Sequence, residues 1–184
     1  MDSENAYREY LGGNDEALGR IIEKHKDSLI FFIMRYVGSF HEAEDIAENT
    51  FFKLAVKKPK LKKGYAFSTL LYTVARNEAL SALRRKKKIR FESIDEAECE
   101  AEEINIEDIC LTEERKRAVH GAIEKLPAAY REVIHLSFFE GLKNSEIAKV
   151  TKKSRKQVEN LLYRAKISLR KELEKEGFDY ENSF

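Results

Sequence analysis

Residues 126–173 read LPAAYREVIHLSFFEGLKNSEIAKVTKKSRKQVENLLYRAKISLRKEL, and the stops and caps in this stretch decide the fold. Leu126-Pro127 interrupts one helix and puts a proline in the first turn of the next, which is expected to run from Ala128 to Phe139 and to end at Gly141. Asn144 or Ser145 caps the short segment NSEIAKV, which turns Ile147, Ala148 and Val150 inward. The turn TKK and a second cap at Ser154 lead into a long helix over 155–176, where Val158, Leu161, Leu162, Ala165 and Leu169 follow the helical step. Two helices joined by so short a turn, the second one basic, form a helix-turn-helix, whose second helix enters the major groove of DNA. Arg155, Lys156, Gln157, Glu159, Asn160, Tyr163 and Arg164 are left on its outer face.

Thr112 caps one more helix, to Lys125, and completes a small C-terminal domain. The N-terminal half is helical as well. From Asp15 to Val37 the residues Leu18, Ile21, Ile22, Leu29, Phe32, Ile33 and Tyr36 recur at three- and four-residue steps and line one face. Gly38 stops that helix and Ser39 caps the next, which carries Ala43, Ile46, Ala47, Thr50, Phe51 and Leu54 inward and Glu42, Glu44, Asp45, Glu48 and Asn49 outward. After Pro59, a further helix starts near Leu70. It turns Leu70, Leu71, Val74, Ala75, Leu80 and Leu83 to a core and ends in the basic run Arg84 to Lys88, with Arg76 also outside. Two prolines and eight glycines in 184 residues are too few for the turns of a sandwich or barrel, so the fold class is all-α. The expected plan is two small helical domains, 1–90 and 112–176, with an acidic linker at 91–111 and a tail at 177–184.

The formal net charge of +1 conceals strong blocks: −6 over 1–50, +12 over 51–90, −11 over 91–114, +9 over 115–175 and −3 over 176–184. Two basic blocks around an acidic one point to an extended polyanion touched at two places, and nucleic acid is that ligand class. The acidic stretch FESIDEAECEAEEINIEDICLTEE holds no sustained period and reads as a tether. The connection KLKKGYAFST, residues 60–69, sets Lys62, Lys63, Tyr65 and Phe67 beside the basic helix. Cations can meet phosphates there and rings can meet unstacked bases, a combination suited to single strands.

Nothing in the chain assembles an enzyme's constellation. His25, His41, His120 and His135 are scattered, with no HExxH pair, no phosphate loop and no Ser-His-Asp set. Glu44, Asp45 and Glu48 lack a second ligand cluster, so neither a metal nor a cofactor is expected, and Cys99 and Cys110 read as free thiols. The longest apolar run, Leu29 to Met34, falls far short of the roughly 20 residues that span a bilayer, and the N-terminus lacks a signal peptide's order. A cytoplasmic protein without membrane insertion is expected.

EAEDIAENTFFKLAV at 42–56, followed by FSTLLYTVARNEALSALRRKKK at 67–88, resembles region 2 of bacterial RNA polymerase sigma factors of the extracytoplasmic-function (ECF) group, over about 14–90. The stretch quoted first is similar to region 4 of the same sigma-70 family, over about 115–173. The resemblance implies that Glu44, Asp45, Glu48, Asn49 and Phe52 grip the clamp helices of the polymerase's largest subunit. It implies that Lys62, Lys63, Tyr65, Phe67, Arg76, Asn77, Arg84 and Arg85 melt and read the −10 element. Ser154, Arg155, Lys156, Gln157, Asn160 and Arg164 would read the −35 element, their domain resting on the flap of the second subunit. The acidic linker would thread the polymerase towards its RNA exit channel, and an anti-sigma factor is a further implied partner. The expected function is that of a sigma factor: binding core RNA polymerase and promoter DNA, duplex and single-stranded. The competing reading is a one-component helix-turn-helix regulator acting without polymerase, which predicts a dimer, yet nothing in the chain forms a heptad seam.

Overall fold

A computed structural model describes residues 3–61, 65–92 and 114–175, and every regular element among them is helical. Helix α1 spans Ser3–Leu11, α2 Asp15–Val37, α3 Phe40–Lys57 and α4 Phe67–Glu92. Helix α5 spans Glu114–Glu124, α6 Ala128–Ile134, α7 Asn144–Thr151 and α8 Arg155–Lys175, and a π turn, His135–Phe139, extends α6. The chain divides into two compact units, the first holding α1 to α4 and the second α5, α6, most of α7 and α8. Most of the expected linker, the tail, Thr112, Cys99 and Cys110 lie outside the described residues.

In the first unit α2 packs against α1, α3 and α4, and α3 also packs against α4. Ile21, Leu29, Phe32 and Ile33 of α2 meet Ala43, Ala47, Phe51 and Leu54 of α3 in the core, and α4 adds Phe67, Leu71, Tyr72 and the small residues Ala75 and Ala79. Phe32 presents its edge to Tyr72, ring centroids 5.0 Å apart, and the Tyr72 hydroxyl lies 3.0 Å from Ser28 Oγ, so the buried phenol keeps a partner. The α2–α3 corner follows cap chemistry. Gly38 sits at φ 74°, a conformation that strains any residue with a Cβ, and its N–H closes on the Met34 carbonyl at 2.8 Å. Ser39 Oγ accepts from the Glu42 N–H, as a cap at that position should.

Helix α1 answers to no expectation from the sequence. It is short and largely polar, and it is held by Ala6, Tyr7 and Tyr10, all buried. Tyr10 donates its hydroxyl to the Ala55 carbonyl at 2.9 Å. That acceptor is vacant because Pro59, four residues on, has no N–H to return to it. Tyr7 donates to the Pro59 carbonyl, also at 2.9 Å, and Ser3 Oγ lies 2.8 Å from His25 Nε2 in a buried pair. Burial, and then the neighbouring Tyr10 phenol, push the Tyr7 phenol up to about 12, which keeps its hydroxyl a donor throughout neutral pH.

In the second unit α8 packs on α5 and α6 around Ile123, Leu126, Val133, Ile134, Leu136, Val158, Leu162 and Ala165. The helix expected over Ala128–Phe139 is α-helical only to Ile134. Its last turn then widens, the Glu140 N–H reaching the His135 carbonyl at 3.2 Å, and Gly141 at φ 64° ends it as the sequence anticipated. The wider turn buries His135 and Leu136 and leaves Phe138 and Phe139 outside.

Candidate functional site

The start of α8 is built by a reciprocal capping box. Ser154 Oγ accepts from the Gln157 N–H at 3.2 Å, and Gln157 Oε1 accepts from the Ser154 N–H at 2.8 Å. The turn before it passes through Lys152 at φ 56°, and the Lys153 N–H closes on the Ala148 carbonyl at 3.0 Å. Two of the six expected −35 contacts, Ser154 and Gln157, therefore commit an oxygen to the backbone. Arg155 is engaged as well, its Nε donating to Glu159 Oε1 at 2.8 Å. The remaining three differ. Lys156, Asn160 and Arg164 are exposed, four residues apart, and so stack into one ridge of the helix, opposite the buried Val158, Leu162 and Ala165. Tyr163, 68% exposed, flanks that ridge one turn beyond Asn160, an outward residue to which the sequence assigned no role.

The expected −10 residues separate. Lys62 and Lys63 lie outside the described residues, and Tyr65 is half-buried at the entry to α4. Phe67 requires correction as a ring for a base. It is 1% exposed, its ring 4.9 Å from that of Tyr7 and 5.8 Å from that of His25, because α4 begins at this residue and turns it into the core. Arg76 and Asn77 are half-buried farther along α4, while Arg84 and Arg85 are exposed. Lys53 pairs with Glu78 at 2.5 Å and Lys86 with Glu42, so cations of this block also bind α3 and α4 together.

On α3, Asp45, Glu48, Asn49, Phe52 and Val56 are all exposed and recur at three- and four-residue steps, which makes one continuous ridge, acidic at its start and apolar at its end. Phe52 is 65% and Val56 64% exposed, far more than a core-facing helix leaves on such residues. Glu44 sits beside the ridge and reaches Lys26 of α2 at 3.1 Å, so its charge is partly met within the unit. Val56 was missed in the sequence, although its place four residues after Phe52 was the available signal. Among the described residues no group of three or more His, Cys, Asp or Glu side chains is placed to hold a metal, and no helix is long and apolar enough to cross a membrane.

Residues 21–89 match the family model for sigma-70 region 2, and residues 116–169 match that for sigma-70 region 4. The ECF RNA polymerase sigma factor SigW of Bacillus subtilis is 29% identical over 170 residues, covering 88% of this chain and 91% of that protein. The RNA polymerase sigma factor SigV of the same organism is 30% identical over 155 residues, covering 84% and 90%. In fold the chain is similar to the sigma factor RpoE in its co-crystal structure with the anti-sigma factor NepR from Bartonella quintana. The TM-score is 0.63 at 19% identity, over 85% of this chain and 96% of that one. Both sigma regions, in this order on two helical units, define a specificity factor for RNA polymerase. The chain belongs to the ECF group of the sigma-70 family, and it directs promoter-specific transcription with core RNA polymerase. The reading as a regulator that works without polymerase gives way to it.

Proposed function

We propose that α8 reads the −35 element as duplex, that the connection between α3 and α4 together with α4 captures the −10 element as a single strand, and that the α3 ridge docks on the polymerase. The observation that carries the reading is the ridge of Lys156, Asn160 and Arg164 on α8, exposed opposite a buried apolar face. A groove about 12 Å wide admits such a helix, in which Asn can pair with adenine and Arg with guanine. Phe52 and Val56 with Asp45 and Glu48 suit a basic and apolar partner surface, which the clamp helices of the largest subunit would supply. The exposed Phe138 and Phe139 offer the second unit an apolar contact for the flap. An anti-sigma factor is a further partner, since the structurally similar RpoE is bound by one. The protein acts in the cytoplasm and performs no catalytic step of its own.

Transcription by core polymerase on a promoter library, with and without the protein, tests the division of labour. Initiation should concentrate on promoters sharing both elements, and Arg164→Ala should relax selection at one −35 position while leaving the −10 consensus intact. An altered −10 consensus with an unaltered −35 consensus would overturn the assignment.

A further inference from the structure

Glu159 is an acid on the face of α8 that the reading above turns towards DNA. It stands three residues after Lys156 and beside Asn160, so helical spacing places it at the border of the ridge, within the first two turns of the helix. A carboxylate aimed at a phosphate-lined groove weakens binding wherever it meets no donor. The helix gains little from it. Its partner is Arg155, whose Nε donates to Glu159 Oε1 at 2.8 Å, but the two side chains are 43% and 73% exposed, a setting in which an ion pair contributes little stability. Arg155 also occupies the first turn of α8, where no acid stands and where the helix dipole disfavours a cation, and within the pair the base precedes the acid, the weaker of the two orders. What the bond does fix is direction. It holds the carboxylate on the outer face and makes the pair neutral, while Arg155 keeps its other N–H donors. A carboxylate can only accept, and the amino donors of the major groove are cytosine N4 and adenine N6, since guanine N7 and O6 and thymine O4 are acceptors. Adenine sets its N7 acceptor beside the amino group. Cytosine offers the donor alone, so it is the base that a carboxylate selects.

We propose that Glu159 is a specificity-determining residue for the −35 element, selecting cytosine at one position through its N4 amino group, with Arg155 the positioning residue that holds the carboxylate. The proposal rests on the reading above, in which α8 lies in the groove of that element.

The test uses the full chain bound to core polymerase. The probe is a fluorescent −35 duplex from a promoter the protein initiates on, with each base pair of the element replaced in turn by the other three. The parent should prefer cytosine at one position about tenfold. Glu159→Gln should move that preference to adenine, because an amide pairs with N6 and N7 together, and should leave the other positions as they were. Glu159→Ala should abolish the preference and bind the non-cytosine duplexes more tightly than the parent does, since a charge of the same sign as the phosphates has gone. Arg155→Ala should keep cytosine first but weaken the preference about threefold, at that position alone, whereas a loss of helix stability would spread over all positions. The unfolding midpoints of both Glu159 variants should stay close to the parent's. If both variants keep the parent's preferences at every position while Arg164→Ala relaxes one, Glu159 reads no base and the placement of α8 stands. A preference lost in Glu159→Ala for a base other than cytosine would overturn the N4 contact. Equal losses on all duplexes, with a lowered midpoint, would reduce the pair to a brace of the helix. If Arg164→Ala also leaves every −35 preference unaltered, α8 is not the reader, and the proposal falls with that reading.

Discussion

At the first turn of α8, side chains proposed to meet DNA also cap the helix. Ser154 and Gln157 answer each other's backbone, so Ser154→Ala should lower the stability of the protein by about 1 kcal/mol, seen in the denaturation midpoint, with a smaller effect on DNA. Arg164→Ala should behave in the opposite way. It should leave the midpoint in place and weaken binding of the holoenzyme to −35 duplex by roughly 1–3 kcal/mol, less so against a scrambled element. Tyr7 permits a prediction on pH. Its phenol is pushed up to about 12 from 10.0, so the folded chain holds that proton more tightly than the unfolded one. The stability it contributes is whole below pH 10 and is lost as pH rises to 12. Urea unfolding across that window should therefore fall more steeply for the parent than for Tyr7→Phe, and parallel curves would contradict the burial of this phenol. The two rings of the connection show where the sequence becomes illegible. Tyr65 and Phe67 lie two residues apart in one basic segment, and composition treats them alike. Only the point at which α4 begins separates them, and no capping residue marks that point for the reader.

Among the elements, those with chemical punctuation were legible. Pro127, Gly141 and Ser154 carry the boundaries of α6, its π turn and α8, and Gly38 and Ser39 carry the corner between α2 and α3. Helix α1 was not. Nine residues make a marginal helix in isolation, and this one is held by tyrosine hydroxyls on carbonyls some fifty positions away, an acceptor set that no local period displays. The π turn is equally silent, since it is a change of backbone ladder within a run of ordinary helix formers and aromatics. The α3 ridge lies between these extremes: its acids were visible as an outward face, while the exposure of Phe52 and Val56 needed the packed unit. On this element Phe52→Ala should leave stability within about 0.5 kcal/mol of the parent, because the ring is already in water. Its affinity for core polymerase should fall, and Asp45→Lys should add to that loss. Fluorescence anisotropy against labelled core polymerase measures both, and unaltered affinity in the double variant would move the docking surface off α3.

For the whole molecule the charge blocks were the most legible feature, because a field sums over the chain before any fold is known. What the sum hides is which cations are already engaged. Lys53 and Lys86 pair with Glu78 and Glu42, and Arg155 pairs with Glu159, whereas Arg84 and Arg85 of the +12 block remain exposed. Phosphate contacts release counterions, so the affinity of the holoenzyme for promoter DNA should fall with salt in proportion to their number. Removing one such contact should flatten the plot of log affinity against log salt by about one. Arg84→Gln with Arg85→Gln should thus reduce the slope by about two, and by the same amount on matched and scrambled promoters, since a phosphate carries no sequence. Asn160→Ala should do the reverse, holding the slope and narrowing the gap between those two promoters. The pair separates the two uses of positive and polar surface in one experiment. A slope that does not respond to Arg84 and Arg85 would mean that this stretch of α4 faces something other than the DNA backbone, and the acidic or apolar surface of a protein partner would then be its natural counterpart.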